Sequence, residues 1–158
     1  MKTTQQYGKE ADLALGLWVK LARASATFAR LSERDIERYD LTGPQFAVLE
    51  SLGHLGHMTI GELGKKMLVS GGNMTVVIDN LERDGLVERT HSKEDRRTIV
   101  VDLTARGRML FKDIFPQHAE FITAMASVLT EKEQSDLARL LKKLGTACRK
   151  HMMTKEPS

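Results

Sequence analysis

Glu50, His54 and His57 are spaced by four and three residues, so a helix through them could turn one carboxylate and two imidazoles toward a single zinc ion. Gly53 and Gly56 interrupt that helix, and polar residues leaving a helix for a turn explain the trio better, so no metal is expected. Ser70-Gly71-Gly72 opens a helix with small residues, where a phosphate could meet main-chain N–H groups. No P-loop lysine follows and no strand precedes it; neither catalytic residues nor a cofactor are expected. Cys148 is the single cysteine, which excludes an internal disulfide and a multi-thiolate zinc site. Its place in an apolar seam reads as a buried, inert thiol, with redox sensing as the second reading. His118 sits in an apolar stripe, where packing is the first reading and contact with a small effector the second. The remaining chemistry belongs to cations: His91-Ser92-Lys93-Glu94-Asp95-Arg96-Arg97 is polar throughout and concentrates Lys93, Arg96 and Arg97 in one short stretch.

The elements that would position these groups come from a chain of 158 residues with 41% hydrophobic content, enough to bury a core. The net charge is only +3, which a dimer would double, so bulk charge hints at nucleic acid without establishing it. Apolar runs are short and broken by charges, and Met1 to Ala11 lacks the basic-then-apolar order of a secretory signal. A cytoplasmic protein with no membrane partner is expected.

Apolar positions recur mostly at three and four residues, which predicts a mainly α fold. From Leu13 to about Ile36 two stripes run together, one through Leu17, Leu21, Ala24, Phe28 and Leu31, the other through Leu15, Trp18, Ala22, Ser25 and Ala29. This predicts a helix buried on two flanks. Thr42-Gly43-Pro44 starts another helix, with an apolar side of Phe46, Leu49 and Leu52. Thr59-Ile60-Gly61-Glu62 is a capping box opening a short helix. After a connection over Leu68 to Gly71, Ser70 is placed to cap a second helix with Met74, Val77, Ile78 and Leu81 inward and Asp84-Gly85 as its stop. Short helices joined this tightly are the sequence form of a helix-turn-helix.

Beyond Gly85 the period changes to two: Val87 and Arg89, then Ile99, Val101 and Leu103 alternating with Thr98, Val100 and Asp102. A β-hairpin with a cationic tip has the layout of a wing. Thr104 can cap a long helix bearing Phe111, Phe115, His118, Ile122 and Met125, with Pro116 as a kink. Thr130-Glu131-Lys132-Glu133 is another capping box, and the last helix repeats Leu137, Leu141, Leu144 and Cys148 beside Leu140, a seam that wants a partner helix. The fold class expected is therefore mainly α with a small β-hairpin wing, a winged helix-turn-helix plus a helical dimerisation region. Its boundaries are residues 1–40 and 104–153 for dimerisation, 41–103 for the winged domain and 154–158 for a loose tail.

The chain resembles the multiple-antibiotic-resistance regulator (MarR) family from about Leu13 to Arg149. The likeness is carried by Leu41-Thr42-Gly43-Pro44-Gln45-Phe46-Ala47-Val48-Leu49, by Ser70-Gly71-Gly72-Asn73-Met74-Thr75 and by Asn80-Leu81-Glu82-Arg83-Asp84-Gly85-Leu86-Val87-Glu88-Arg89. Asp95-Arg96-Arg97 and Leu103-Thr104 complete it. The resemblance implies a homodimer joined through its terminal helices, reading an inverted-repeat operator on double-stranded DNA and releasing it when a small molecule binds. It also implies that Asp95 braces the wing while Arg97 enters the minor groove, where a narrow A·T tract attracts a guanidinium.

Residue chemistry points the same way. Ser70, Gly71, Gly72, Asn73, Thr75 and Val76 give the second helix small or polar leading residues. Asn73 can offer a bidentate amide to adenine, Val76 can meet a thymine methyl, and Gly72 lets the backbone approach the duplex. Lys93 and Arg96 suit phosphates, as do Lys65 and Lys66, for which a solvated face is an equal reading. Asp79 faces outward and would repel phosphate, so it receives no contact. Charge counting misses the site: Glu82, Asp84, Glu88, Glu94 and Asp95 offset Arg83, Arg89, Lys93, Arg96 and Arg97. A winged domain that binds only protein is the competing class, but such a wing more often exposes an apolar anchor.

For the effector, Ile114-Phe115-Pro116-Gln117-His118 and Met125-Ala126-Ser127-Val128-Leu129-Thr130 are similar to the branch of the family that responds to quinones, hydroquinones and catechols. A pocket edged by Trp18, Phe46, Phe115 and His118 would suit such a flat aromatic or phenolic molecule. Dimer contacts are expected from Leu17, Leu21, Leu137, Leu141 and Leu144. The function expected is sequence-specific transcriptional regulation, as a repressor released by a small aromatic ligand.

Overall fold

A computed structural model describes residues 7–67, 71–92, 95 and 97–153. In chain order it contains α1 (Lys9–Glu37), α2 (Gly43–Leu55), β1 (Met58–Thr59), α3 (Ile60–Met67), α4 (Gly71–Arg83), β2 (Val87–His91), β3 (Ile99–Leu103), α5 (Ala105–Ala126) and α6 (Glu131–Met153). The mainly α class with a small wing is as expected. Ser70, Lys93, Arg96, most of the Leu68 to Gly71 connection and the 154–158 tail fall outside the described residues.

Helix starts are fixed locally. Thr59 accepts from the Glu62 N–H at 3.2 Å while Glu62 Oε2 accepts from the Thr59 N–H at 2.8 Å. Thr130 and Glu133 repeat the exchange at 3.3 and 2.8 Å. Both boxes satisfy main-chain donors that a helix start leaves without partners. The main-chain bond holds the Glu62 carboxyl below its ordinary value, and the same cause acts on Glu133. Thr42 and Gln45 form a further box, which the Pro44 signal overshadowed in the sequence.

The stop of α4 is equally explicit. Leu86 N–H donates to Leu81 O at 2.9 Å and Gly85 N–H to Glu82 O at 2.9 Å, the paired bonds of a Schellman turn. Gly85 has φ 69°, a left-handed conformation that a side chain would strain. Leu81 and Leu86 are both buried, supplying the hydrophobic contact that accompanies this turn.

The chain divides into two compact units, Met1–His118 and Ala119–Ser158. In the first, Val48, Leu49, Leu52, Leu63, Met74, Ile78, Leu81, Val87, Val101 and Leu103 make the centre of the core. The sheet has the order β1-β3-β2, with β3 antiparallel to both neighbours. β1 lacks a sequence signal because two residues cannot display a period. Alternation along β3 departs from expectation at its start. Ile99 is exposed because it pairs with His91 at the tip, far from the core, whereas Val100 is buried in the central strand along with Val101. α5 continues through Pro116.

The expected burial of α1 on two flanks is not met within one protomer. Only Asp35 and Ile36 are buried in it, and Leu13, Leu15, Leu17, Trp18 and Phe28 are exposed. In the second unit, Gln134 Nε2 donates to Leu129 O at 2.9 Å and Ala126 O at 3.2 Å, closing the corner before α6. Residues 137–151 of α6 are all exposed, so Cys148, expected to be buried in its seam, is exposed in the protomer.

Candidate nucleic-acid interface

Helix α4 has one face that cannot be given to anything but the core. Met74, Ile78 and Leu81 are fully buried and Val77 is half-buried, which turns Gly72, Asn73, Thr75, Val76 and Asp79 outward. Val76 is 59% exposed, an apolar side chain beside an amide and a hydroxyl. A Cβ added at Gly72 meets nothing within 4 Å, so the fold of the protomer does not itself require glycine there. Gly71 is the first residue of the helix. Lys65 and Lys66 are exposed in the last turn of α3.

The wing is closed by Asp95. Its Oδ1 accepts from the Arg97 N–H at 3.0 Å, its Oδ2 from the Thr98 hydroxyl at 3.2 Å, and its carbonyl from the Thr98 N–H at 2.9 Å. Ser92 N–H donates to Thr98 O at 2.8 Å, continuing the hairpin beyond the β2–β3 ladder. One carboxylate therefore shapes the turn that carries Arg97, whose side chain is exposed.

The root of the wing is joined to the helix-turn-helix twice. Thr104 Oγ1 donates to Gly85 O at 2.7 Å and accepts from the Gly107 N–H at 3.0 Å, so one hydroxyl caps α5 and ties it to the turn after α4. Arg89 on β2 forms the other joint, which sequence reasoning missed. Its Nη2 donates to Asp79 Oδ1 at 2.6 Å, its Nη1 donates to Glu82, and its main-chain N–H donates to Glu82 Oε1 at 3.1 Å. Burial alone would lower the guanidinium pKa, but the hydrogen bonds that it donates to Asp79 and Glu82 outweigh it and the value is raised, so the group stays charged. The signal that could have found it is the position of Arg89 just across the Gly85 turn from an acidic i, i+3 pair.

The four residues expected to edge an effector pocket do not all come together. Phe46 and His118 meet edge-on with ring centroids 4.6 Å apart, and Phe115 lies against Phe111 and His54 at 5.1 and 4.5 Å. These rings pack α2 against α5. Trp18 is 63% exposed and makes no ring contact among the described residues, because the stripe that carries it on α1 has no cover in the protomer. His118 is buried with Nδ1 2.8 Å from Asp35 Oδ2, and Asp35 Oδ1 accepts from Arg38 Nη1 at 2.7 Å. Packing is thus the reading of His118 that the protomer supports. His54 serves the ring cluster, and among the described residues no group of His, Cys, Asp and Glu is placed to hold a metal. A recess of about 820 Å³ lies elsewhere, along Gly8, Leu13, Gly16 and Leu17 at the start of α1.

A fully packed helix-turn-helix followed by a braced hairpin defines a winged helix-turn-helix DNA-binding protein. Residues 41–99 match the profile of the MarR family. The chain is 37% identical over 134 residues to the HTH-type transcriptional regulator MhqR of Bacillus subtilis, covering 85% of this chain and 92% of that protein. It therefore belongs to the MarR family, and is a DNA-binding transcriptional regulator and not an enzyme. Among solved structures, a mutant MarR from E. coli complexed with operator DNA matches with a TM-score of 0.74 and 27% identity, over 87% of this chain and 99% of that one. Bordetella bronchiseptica BpsR, whose DNA binding is regulated by 6-hydroxynicotinic acid, matches with a TM-score of 0.72 and 28% identity, over 82% and 98%. No helix among the described residues is long and apolar enough to cross a membrane.

Proposed function

We propose that the protein is a repressor that binds an inverted-repeat operator as a homodimer and leaves it when a small aromatic ligand binds. The observation that carries this reading is the outward row of α4, where exposed Asn73, Thr75 and Val76 stand on a helix whose opposite face packs into the core through Met74, Ile78 and Leu81. In the major groove, Asn73 reads adenine, Val76 meets a thymine methyl, and Gly71 and Gly72 let the helix start come close. Arg97 enters the minor groove from a turn shaped by Asp95, while Lys93 and Arg96 neutralise phosphates.

The homodimer is supported by apolar side chains that a single protomer leaves uncovered: Leu17 on α1, and Leu137, Leu140, Leu141 and Leu144 on α6, with Leu21 half-buried beside them. Residues 1–40 and 104–153 supply this interface, and 41–103 read DNA. A two-fold dimer places its recognition helices about one duplex turn apart, roughly 34 Å, so that operator symmetry mirrors protein symmetry. A ligand that favours protomers at another spacing releases the DNA by shifting the population. The ligand class rests on the resemblance of residues 114–118 and 125–130 to the quinone-responsive branch and on the aromatic regulator of the related BpsR. Of the residues proposed to meet it, Phe46, Phe115 and His118 line the α2–α5 packing, and Trp18 reaches it only through rearrangement or assembly.

The test is a fluorescence titration of the intergenic DNA beside the protein's own gene, searched first for an inverted repeat, with a panel of phenols and quinones added to the complex. Salt-sensitive binding and release in both wild type and Cys148→Ser support a reversible aromatic effector. Release in wild type alone moves the sensor to Cys148, and no binding to that DNA removes the repressor reading.

A further inference from the structure

The recognition helix carries two carboxylates that base reading does not use. Asp79 lies three residues beyond Val76 on the outward side of α4, and its side chain is 57% exposed. Glu82 follows one turn later. Double-stranded DNA carries about one negative charge per 1.7 Å of its axis, so carboxylates on a helix entering the groove oppose binding. Arg89 answers both of them. Its fork engages Asp79 with one nitrogen and Glu82 with another, its main chain adds the 3.1 Å bond to Glu82, and its side chain is only 23% exposed. A guanidinium held this way has little left to offer a phosphate directly.

We propose that Arg89 is the positioning residue that makes an acidic recognition helix compatible with DNA: it neutralises Asp79 and Glu82 and holds them toward the root of the wing, adding affinity without touching the duplex. The inference rests on the DNA-reading role of α4. The formal charge of the cluster is −1 with Arg89, −2 without it, and zero when Arg89, Asp79 and Glu82 are all neutral. Affinity for DNA of any sequence should fall as that charge becomes more negative, because the effect is electrostatic and not a base contact. A residue that contacts phosphate directly would instead be lost for good on substitution.

The experiment measures binding of the full-length protein to a random-sequence duplex by fluorescence anisotropy at about 0.05 and 0.2 M salt, with thermal unfolding followed alongside. Arg89→Ala is expected to bind about tenfold more weakly at the lower salt, and the triple variant Arg89→Ala, Asp79→Asn, Glu82→Gln to return to the wild-type affinity or above it. Asp79→Asn with Glu82→Gln, Arg89 being retained, should bind about tenfold more tightly than wild type and with a steeper salt dependence. A triple variant as weak as Arg89→Ala would make Arg89 a phosphate contact and overturn the proposal. An Arg89→Ala protein that binds like wild type would do the same. Should Arg89→Ala fail to fold, the Asp79, Glu82 pair decides alone, since unchanged affinity in it also refutes the shielding. If wild type itself shows no salt-sensitive binding to any duplex, the DNA-reading role of α4 has failed, and that result is distinguishable because it appears before any substitution is made.

Discussion

Gly107→Ala tests the joint between α5 and the recognition helix, because two effects of opposite sign meet at one residue. Gly107 stands in the first turn of α5, where replacing glycine by alanine normally stabilises by about 0.8–1.0 kcal/mol. Here the new Cβ would lie 2.0 Å from Leu86 O, 3.0 Å from Leu86 C and 3.4 Å from Leu103 Cδ2. The obstacle is main chain, and it cannot swing aside as a side-chain tip could. Overpacking of a rigid site costs about 1–3 kcal/mol, and this contact belongs at the upper end. Moving the main chain at Leu86 also strains the Thr104 N–H bond to that same Leu86 oxygen, 3.1 Å long, worth about 1 kcal/mol. The balance is destabilisation by about 2–3 kcal/mol after the propensity gain. For a chain of this size that lowers the melting temperature by roughly 4–12 °C. The assay is thermal unfolding at one fixed protomer concentration, since the proposed dimer would make the midpoint concentration-dependent. Gly61→Ala is the control, for its Cβ meets nothing within 4 Å. A Gly107→Ala protein as stable as wild type would refute the argument that the close approach of α5 to Leu86 fixes the root of the wing.

Further outcomes follow from the assembly, the readout and the caps. Leu141→Asp, placing a charge in the exposed leucine row of α6, should dissociate the proposed dimer, and an unchanged sedimentation coefficient at micromolar protein would count against that seam. Asn73→Ala should lose about 1–3 kcal/mol of discrimination at one operator position with little change on random DNA; equal losses on both would make Asn73 a backbone contact. Glu62 and Glu133 have folded pKa values below the unfolded 4.5, so their capping contribution is present above about pH 4.5 and lost as pH falls through the lowered values. Glu62→Gln with Glu133→Gln keeps acceptors at both boxes, and should lose less stability than wild type on acidification; parallel denaturation curves down to pH 3 or so would contradict this.

What could be read in the sequence was short-range. The Thr59 and Thr130 boxes span three residues, and the α4 stop is announced by Asp84-Gly85. In each the partners are near enough in sequence for spacing to define their geometry. His118 and Asp35 are 83 positions apart, and no periodicity within α1 or α5 could pair them. β1 was invisible for a related reason, since Met58 and Thr59 acquire their identity as a strand only from Val101 and Val100. The exposed face of α1 shows the converse limit: its two stripes were legible as apolar, but apolarity does not say whether the cover comes from the same chain or another copy.

Charge is where the difference between pattern and placement matters most for function. Between Glu82 and Arg97 acids and bases cancel in number, and a sum would dismiss the segment as a DNA-binding surface. In space the cancellation is selective. Glu82 and Asp79 are taken up by Arg89 at the root of the wing, and Asp102 by Arg108 at 2.8 Å. Asp95 directs its oxygens at the main chain of Arg97 and the hydroxyl of Thr98. These carboxylates are thereby held against guanidinium groups and N–H or O–H donors, while the Arg97 side chain is left at the exposed tip. Because a fixed carboxylate beside a compensating donor repels phosphate far less than a mobile one, the residues that hide the site from charge counting are, on the reading proposed above, the ones that let it face DNA.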